Sequence, residues 1–198
     1  TVSSFTNGGS TPTNLAWDEV GIITLTPSVG DGDYLGAGNT TGTTTGNIGR
    51  FVPHHFAALG EVTPACVSGA FTYMAQNFTL SKVGSSPLTA EMLEARNLGD
   101  TKTANYTGAF APGLVSFGLE NADNGTDLSA RLTAPGGWSA GVYTLSSTNA
   151  VFSRPVSTAP DTTWGAFEQL EMGITAADTD VTTTPRVVGA DMNPAAVG

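Results

Sequence analysis

From Glu19 to Pro27 the chain reads EVGIITLTP, a β-branched run with apolar side chains on both parities. Side chains alternate across a pleated strand, so a run written this way is expected to be covered on both faces. It stops at GDGDYLGAG, whose glycines and aspartates favour tight turns. GNTTGTTTGNIG follows as a polar, low-complexity loop with too little hydrophobicity for a core. A new extended run opens at GRFVPHHFAALGEV, where Pro53 biases Val52 away from helix and suits a strand start or an edge. Ahead of all this, TVSSFTNGGSTPTN holds almost nothing to bury and reads as linker.

Farther along, AFTYMAQNFTLSK puts Phe71 and Tyr73 on one parity and Phe78 and Leu80 on the other, which requires a bulge or a turn near Gln76. SPLTAEMLEARN is divided: its Ala, Glu, Met, Leu and Arg favour helix, while Leu88, Ala90 and Met92 alternate as a strand does. ANYTGAFA, LVSFGLEN, LSARLTA, GVYTLSS and AVFSR are short apolar-polar runs broken by Gly, Pro and Asn at roughly 8 to 12 residue spacing. FEQLEMGITAAD alternates Leu170, Met172 and Ile174 against Gln169, Glu171 and Gly173, the pattern of a half-buried strand. These runs predict an all-β fold of antiparallel, Ig-like β-sandwich strands. The expected division is residues 1–50 as linker plus the terminal strands of a preceding β module, and 51–198 as the main sandwich. A single wrapped domain is the alternative.

Composition narrows the function classes. Of 198 residues, 12% are charged, and seven Lys plus Arg face seventeen Asp plus Glu for a formal charge of -10. Such a field repels phosphate backbones, so nucleic acid is excluded as an expected partner. No apolar stretch approaches the roughly 18 residues that a membrane-spanning helix requires, so no membrane insertion is expected. Cys66 is the only cysteine, which rules out an internal disulfide and a multi-cysteine zinc site. It is either a free thiol or the partner of a cysteine on another chain or segment. The sparse charge and abundant Thr and Gly suit an exported, extracellular β module.

Candidate chemistry is thin. GGWSAG carries a Gly-x-Ser-x-Gly match with Ser139 at the nucleophile position, but a nucleophile elbow needs a strand before it and a helix after. Here PGG precedes and the strand-like GVYTLSS follows, and both histidines lie upstream, so a turn is expected and no enzyme. His54 and His55 are adjacent and would diverge on an extended chain, leaving too few ligands for zinc. Calcium is the one ion the sequence could suit, through Asn121, Asp123 and Asp127 in NADNGTD or through Asp178 and Asp180 with Asp191 returning across a hairpin. Ordinary Asx turns account for the same residues without a metal, and no other cofactor is indicated. Trp138 and Trp164 sit in Gly-rich contexts and are the candidates for stacking on a sugar ring, against the alternative that each caps the core.

GRFVPHHF at residues 49–56 is similar to the GRFxPxHF signature of the MshQ C-terminal domain family, associated with the mannose-sensitive haemagglutinin pilus. AWDEVGIITLTPSVGDGDYLGAG, FTYMAQNFTL, ANYTGAFA, VFSRP, FEQLEMGITAAD and DMN resemble that family in the same order, from about Trp17 to Asn193. SPLTAEMLEARNLGD departs from it, since the family more often shows a strand and a Gly-rich turn there. The resemblance implies an exported bacterial surface protein encoded with type IV pilus machinery, and no catalysis. Its expected partners are other domains of the parent protein or pilus components. The expected function is a structural or adhesive module. The alternatives are a carbohydrate-binding module, with or without calcium, that meets a surface glycan, and a filament subunit completed by strand donation, for which Val2 and Phe5 are the few apolar donors.

Overall fold

A computed structural model of the chain describes residues 6–7, 9–10, 15–69, 71–73, 75–119, 130–153, 170–175, 190–192 and 196–197. Among these, the runs rich in β-branched and aromatic residues form short strands, and helix is confined to two single 3₁₀ turns, Val67–Gly69 and Gly108–Phe110. The strands in order are β1 (Gly21–Ile23), β2 (Ile48–Phe51), β3 (His55–Ala58), β4 (Gly60–Thr63), β5 (Phe71–Thr72), β6 (Phe78–Lys82), β7 (Glu91–Arg96) and β8 (Leu114–Leu119). They continue as β9 (Leu132–Thr133), β10 (Gly136–Ser139), β11 (Val142–Leu145), β12 (Asn149–Phe152), β13 (Leu170–Thr175), β14 (Ala190–Met192) and β15 (Ala196–Val197).

Two four-stranded antiparallel sheets make the body, with strand orders β10-β11-β7-β3 and β4-β6-β12-β9. Strands at matching positions of the two sheets are neighbours in the chain: β3 with β4, β7 with β6, β11 with β12, β10 with β9. The outer pairs are nearly continuous strands that bend from one sheet into the other, at Leu59 on one side and at Ala134 and Pro135 on the other. Such corner bends let two sheets share long strands and face each other. Between them lie Val62, Phe78, Leu80, Met92, Leu93, Leu145 and Phe152, all buried, with the rings of Phe78 and Phe152 stacked 5.5 Å apart. Each such side chain contributes roughly 1.5 to 3 kcal/mol on burial. A third sheet, β14-β13-β8, joins this core through Phe117 of β8, which is 4% exposed. β13 pairs with β8 in unbroken antiparallel register from Leu170↔Leu119 to Thr175↔Leu114, and β15 adds to β5 in parallel.

The structure is all-β and sandwich-like, as the spacing of the runs predicts. SPLTAEMLEARN resolves to a strand: β7 is central in its sheet, and Met92, Leu93 and Ala95 are all at most 1% exposed. Pairing on both edges and burial of both faces override the local preference for helix. Near Gln76 the parity change is a turn, closed by Gln76 N donating to Tyr73 O at 3.0 Å and Tyr73 N donating to Gln76 Oε1 at 3.0 Å. Residue 50, the expected boundary, lies inside β2. β2 pairs with β1, and Val20 next to β1 is buried against Ala95 and Tyr106.

Beyond β1 the chain runs differently from its pattern. EVGIITLTP is written for cover on both faces, yet Ile22 is 46% and Leu25 39% exposed. GNTTGTTTGNIG, read as a loop, returns antiparallel beside it. Thr45 N donates to Leu25 O at 2.8 Å, Gly42 N to Pro27 O at 2.7 Å and Val29 N to Thr40 O at 3.2 Å. Thr45 Oγ1 accepts from Leu25 N, and the hydroxyls of Thr26 and Thr44 meet at 2.6 Å. Residues 22–48 are therefore a two-stranded arm. Apart from half-buried Val29, every residue from Thr24 to Asn47 is exposed.

Candidate functional site

The base of the arm is fastened by polar contacts to the loop after β7. Glu19 carries them: its Oε1 accepts from Ala104 N at 3.0 Å, and its Oε2 accepts from Asn105 N at 3.0 Å and Val20 N at 3.3 Å. Asn97 Nδ2 donates to Asp18 O at 3.1 Å, and the Arg50 guanidinium lies over the Phe110 ring at 5.7 Å. The loop itself is held by Thr103, whose N and Oγ1 both donate to Ala95 O, at 2.9 and 3.0 Å.

Beside this anchor is an aromatic cluster. Phe56 of β3, Tyr106, Trp138 of β10 and Tyr143 of β11 have neighbouring ring centroids 4.9 to 5.5 Å apart, with Trp138 touching the other three. Three of these four contacts are edge-on, an arrangement the ring quadrupoles favour. The polar tips converge on one residue: Trp138 Nε1 donates to Gly113 O at 2.9 Å, and Gly113 N donates to Tyr106 Oη at 3.2 Å. Gly136 leaves room for Tyr143, since a Cβ there would sit 2.9 Å from its ring. Burial raises the Tyr143 phenol above its ordinary value.

Trp138, expected as a stacking face, is thus half-buried with its indole N–H engaged. It also walls a surface depression of about 480 Å³, together with Tyr143, Gly137, Pro112, Gly113 and Leu114. That volume falls in the range of small-molecule sites, roughly 300 to 1,000 Å³. Sequence reading missed Tyr106, the fully buried member of the cluster. The available signal was the ANYTGAFA block, which holds a tyrosine among small residues. Trp164, Asn121, Asp123, Asp127, Asp178 and Asp180 lie outside the described residues, as do Val2 and Phe5. Asp191 is placed by its backbone alone, opposite Glu171 in the β13–β14 ladder. Among the described residues no three His, Cys, Asp or Glu side chains are grouped to hold a metal ion. At the tip of the arm, Asp31 and Asp33 are taken up by turns, accepting from Asp33 N and Gly38 N at 3.1 and 2.7 Å.

The histidines depart from expectation. The chain bends at His54 before β3 begins, so the two rings do not diverge: their Nδ1 atoms lie 3.2 Å apart and the rings meet edge-on. His55 Nε2 reaches Asp100 Oδ1 at 3.1 Å, and Arg96 Nη1 donates to the same oxygen at 2.9 Å. Arg96 and then His55 hold the Asp100 carboxyl below its usual range, and Asp100 in turn raises Arg96. A carboxylate only accepts, so His55 Nε2 carries the hydrogen. In the neutral pair, His55 Nδ1 then accepts from His54. Ser139 closes the β10–β11 hairpin through the two-residue turn Ala140–Gly141, both at positive φ (47° and 79°), with no helix after it. Cys66 is a half-buried free thiol, its Sγ 4.0 Å from Gln76 Oε1.

Strand order, facing sheets and core composition define a sandwich-like, antiparallel all-β domain. Within that class the chain belongs to the DUF6701 family: the model described as "DUF6701, third domain" matches residues 19–197, on both sides of residue 50. No curated protein and no solved structure matches the chain. Among the described residues no helix is long and apolar enough to cross a membrane.

Proposed function

We propose that this chain is a non-catalytic structural or adhesive module of an exported, type IV pilus-associated bacterial surface protein of the MshQ type. The observation that carries the reading is the arm. It is an uncharged, threonine-rich ribbon except at Asp31 and Asp33, and it displays Ile22, Leu25, Tyr34 and Leu35 to solvent. Apolar surface held out on a projecting element is surface for contact with another molecule or domain. The GRFVPHHF signature and the ordered blocks around it support the pilus association, and the sparse charge supports export. Immobilised pilus proteins and the other domains of the parent polypeptide are the targets to test. Binding that disappears in Leu35→Asn supports the reading, and equal binding by an unrelated β-sandwich contradicts it.

A second reading is favoured by the depression beside Trp138 and Tyr143, which would admit a sugar ring against an aromatic edge and a glycine floor. On that reading the chain is a carbohydrate-binding module, with or without calcium. Titration of a glycan panel, with calcium and with chelator, should quench tryptophan fluorescence, and Tyr143→Ala should abolish the change. No glycan-dependent change in either condition removes this reading.

A further inference from the structure

Among the described residues nothing covers Ile22 and Leu25 of EVGIITLTP, and the arm's own two strands supply only one edge each. A lone two-stranded ribbon is marginal in water. Exposed ribbon edges are ordinarily guarded by lysine, inward charge or proline. Between Thr24 and Asn47 there is no Lys, Arg or Glu, and the one proline is Pro27. Leu35 is the sharpest case: it is 89% exposed and sits at φ 56°, so solvation and backbone both disfavour leucine where Asn or Gly would serve. A cover over the arm would remove the solvation cost and offset the backbone cost.

We infer that the arm is the docking element for the domain that precedes this one in the same polypeptide. This assignment rests on the contact-module reading above and names its partner. The family model is that of a third domain, and its match opens at residue 19, at the foot of the arm. A chain arriving from an earlier domain enters on that side, with the arm beside its path. One face of the arm spans roughly 30 Å by 10 Å from strand rise and spacing. With an equal share from the partner, the contact is about 600 Å², at the lower end for domains within one chain. The fitting partner surface is apolar and uncharged and can present an unpaired strand edge to the ribbon.

Hydrogen exchange compares the longer polypeptide that carries the preceding domain with the present chain by itself. The arm amides of Val29, Tyr34, Gly42 and Thr45 should exchange at least tenfold more slowly in the longer polypeptide. Ile22→Thr with Leu35→Asn should return them to the faster rate without altering protection of the body. New protection on the body and none on the arm overturns the assignment while leaving the contact-module reading intact. No new protection anywhere also overturns it, and the contact-module reading then stands or falls on binding to pilus proteins. If arm protection grows in the present chain by itself as its concentration rises, with a doubled mass in light scattering, the occupant is a second copy and the proposal is overturned.

Discussion

Phe152 and Leu35 are both large apolar side chains in turn-rich β structure, yet one is 1% exposed and the other 89%. Body and arm differ in composition, the arm being rich in Thr and Gly, and above all in enclosure. In the body, corner bends carry strands from one sheet into the other, so each apolar face meets another. Within the arm, hydrogen bonds are made between its two legs through backbone and Thr hydroxyls, and among the described residues none closes over Ile22, Leu25, Tyr34 or Leu35. Backbone pairing can shape a ribbon, but burial is what makes a cooperative domain. Stability therefore belongs to the body.

Changes in the body should break the molecule. Phe152→Ala removes one of two stacked buried rings and should lower unfolding free energy by about 4 kcal/mol in denaturant titration. Gly141→Ala comes next. The residue sits at φ 79°, a Cβ would lie 2.4 Å from the Thr103 carbonyl oxygen, and its N and O bond Tyr106 O and Ala95 N. Loss of about 3 kcal/mol is expected, from strain and disturbed pairing together.

At the seam between the regions the effects should be smaller. Glu19→Gln keeps the shape but replaces an oxygen that accepts backbone N–H groups by a donor, and should cost about 1 kcal/mol. Asp100 gives a pH signature. A carboxyl depressed in the folded state stabilises the fold above its unfolded value of 3.8, and that contribution is lost as pH falls through the lower folded value. Between pH 7 and about pH 3 the native chain should therefore lose more stability than Asp100→Asn does. In the arm the sign reverses: Leu35→Asn relieves a positive-φ leucine and should change stability by less than about 1 kcal/mol, in the favourable direction.

What the sequence made legible follows the same division. Short β-branched runs at regular spacing announce an all-β sandwich because burial imposes alternation locally. β7 was ambiguous because its helix-forming residues are overruled by neighbours far away in the chain. The return leg of the arm reads as a loop, since threonine hydroxyls and backbone pairing need no hydrophobic pattern. EVGIITLTP reads as a strand covered on both faces, yet Ile22 and Leu25 are exposed, because a β-branched run fixes extended backbone without fixing what packs on it. Tyr106 and the convergence of His54 with His55 depend on a buried peptide at Gly113 and a bend before β3, neither of which has a periodic signature.

The most direct measurement is native-state hydrogen exchange of this chain with and without Phe152→Ala. If the arm lies outside the cooperative core, amides of Leu80, Ala95 and Gly141 lose protection together in the variant. Those of Val29, Gly42 and Thr45 keep the same low protection in both. An equal loss of protection in arm and body would contradict the account, because it would place the arm within the unit that the buried core holds folded.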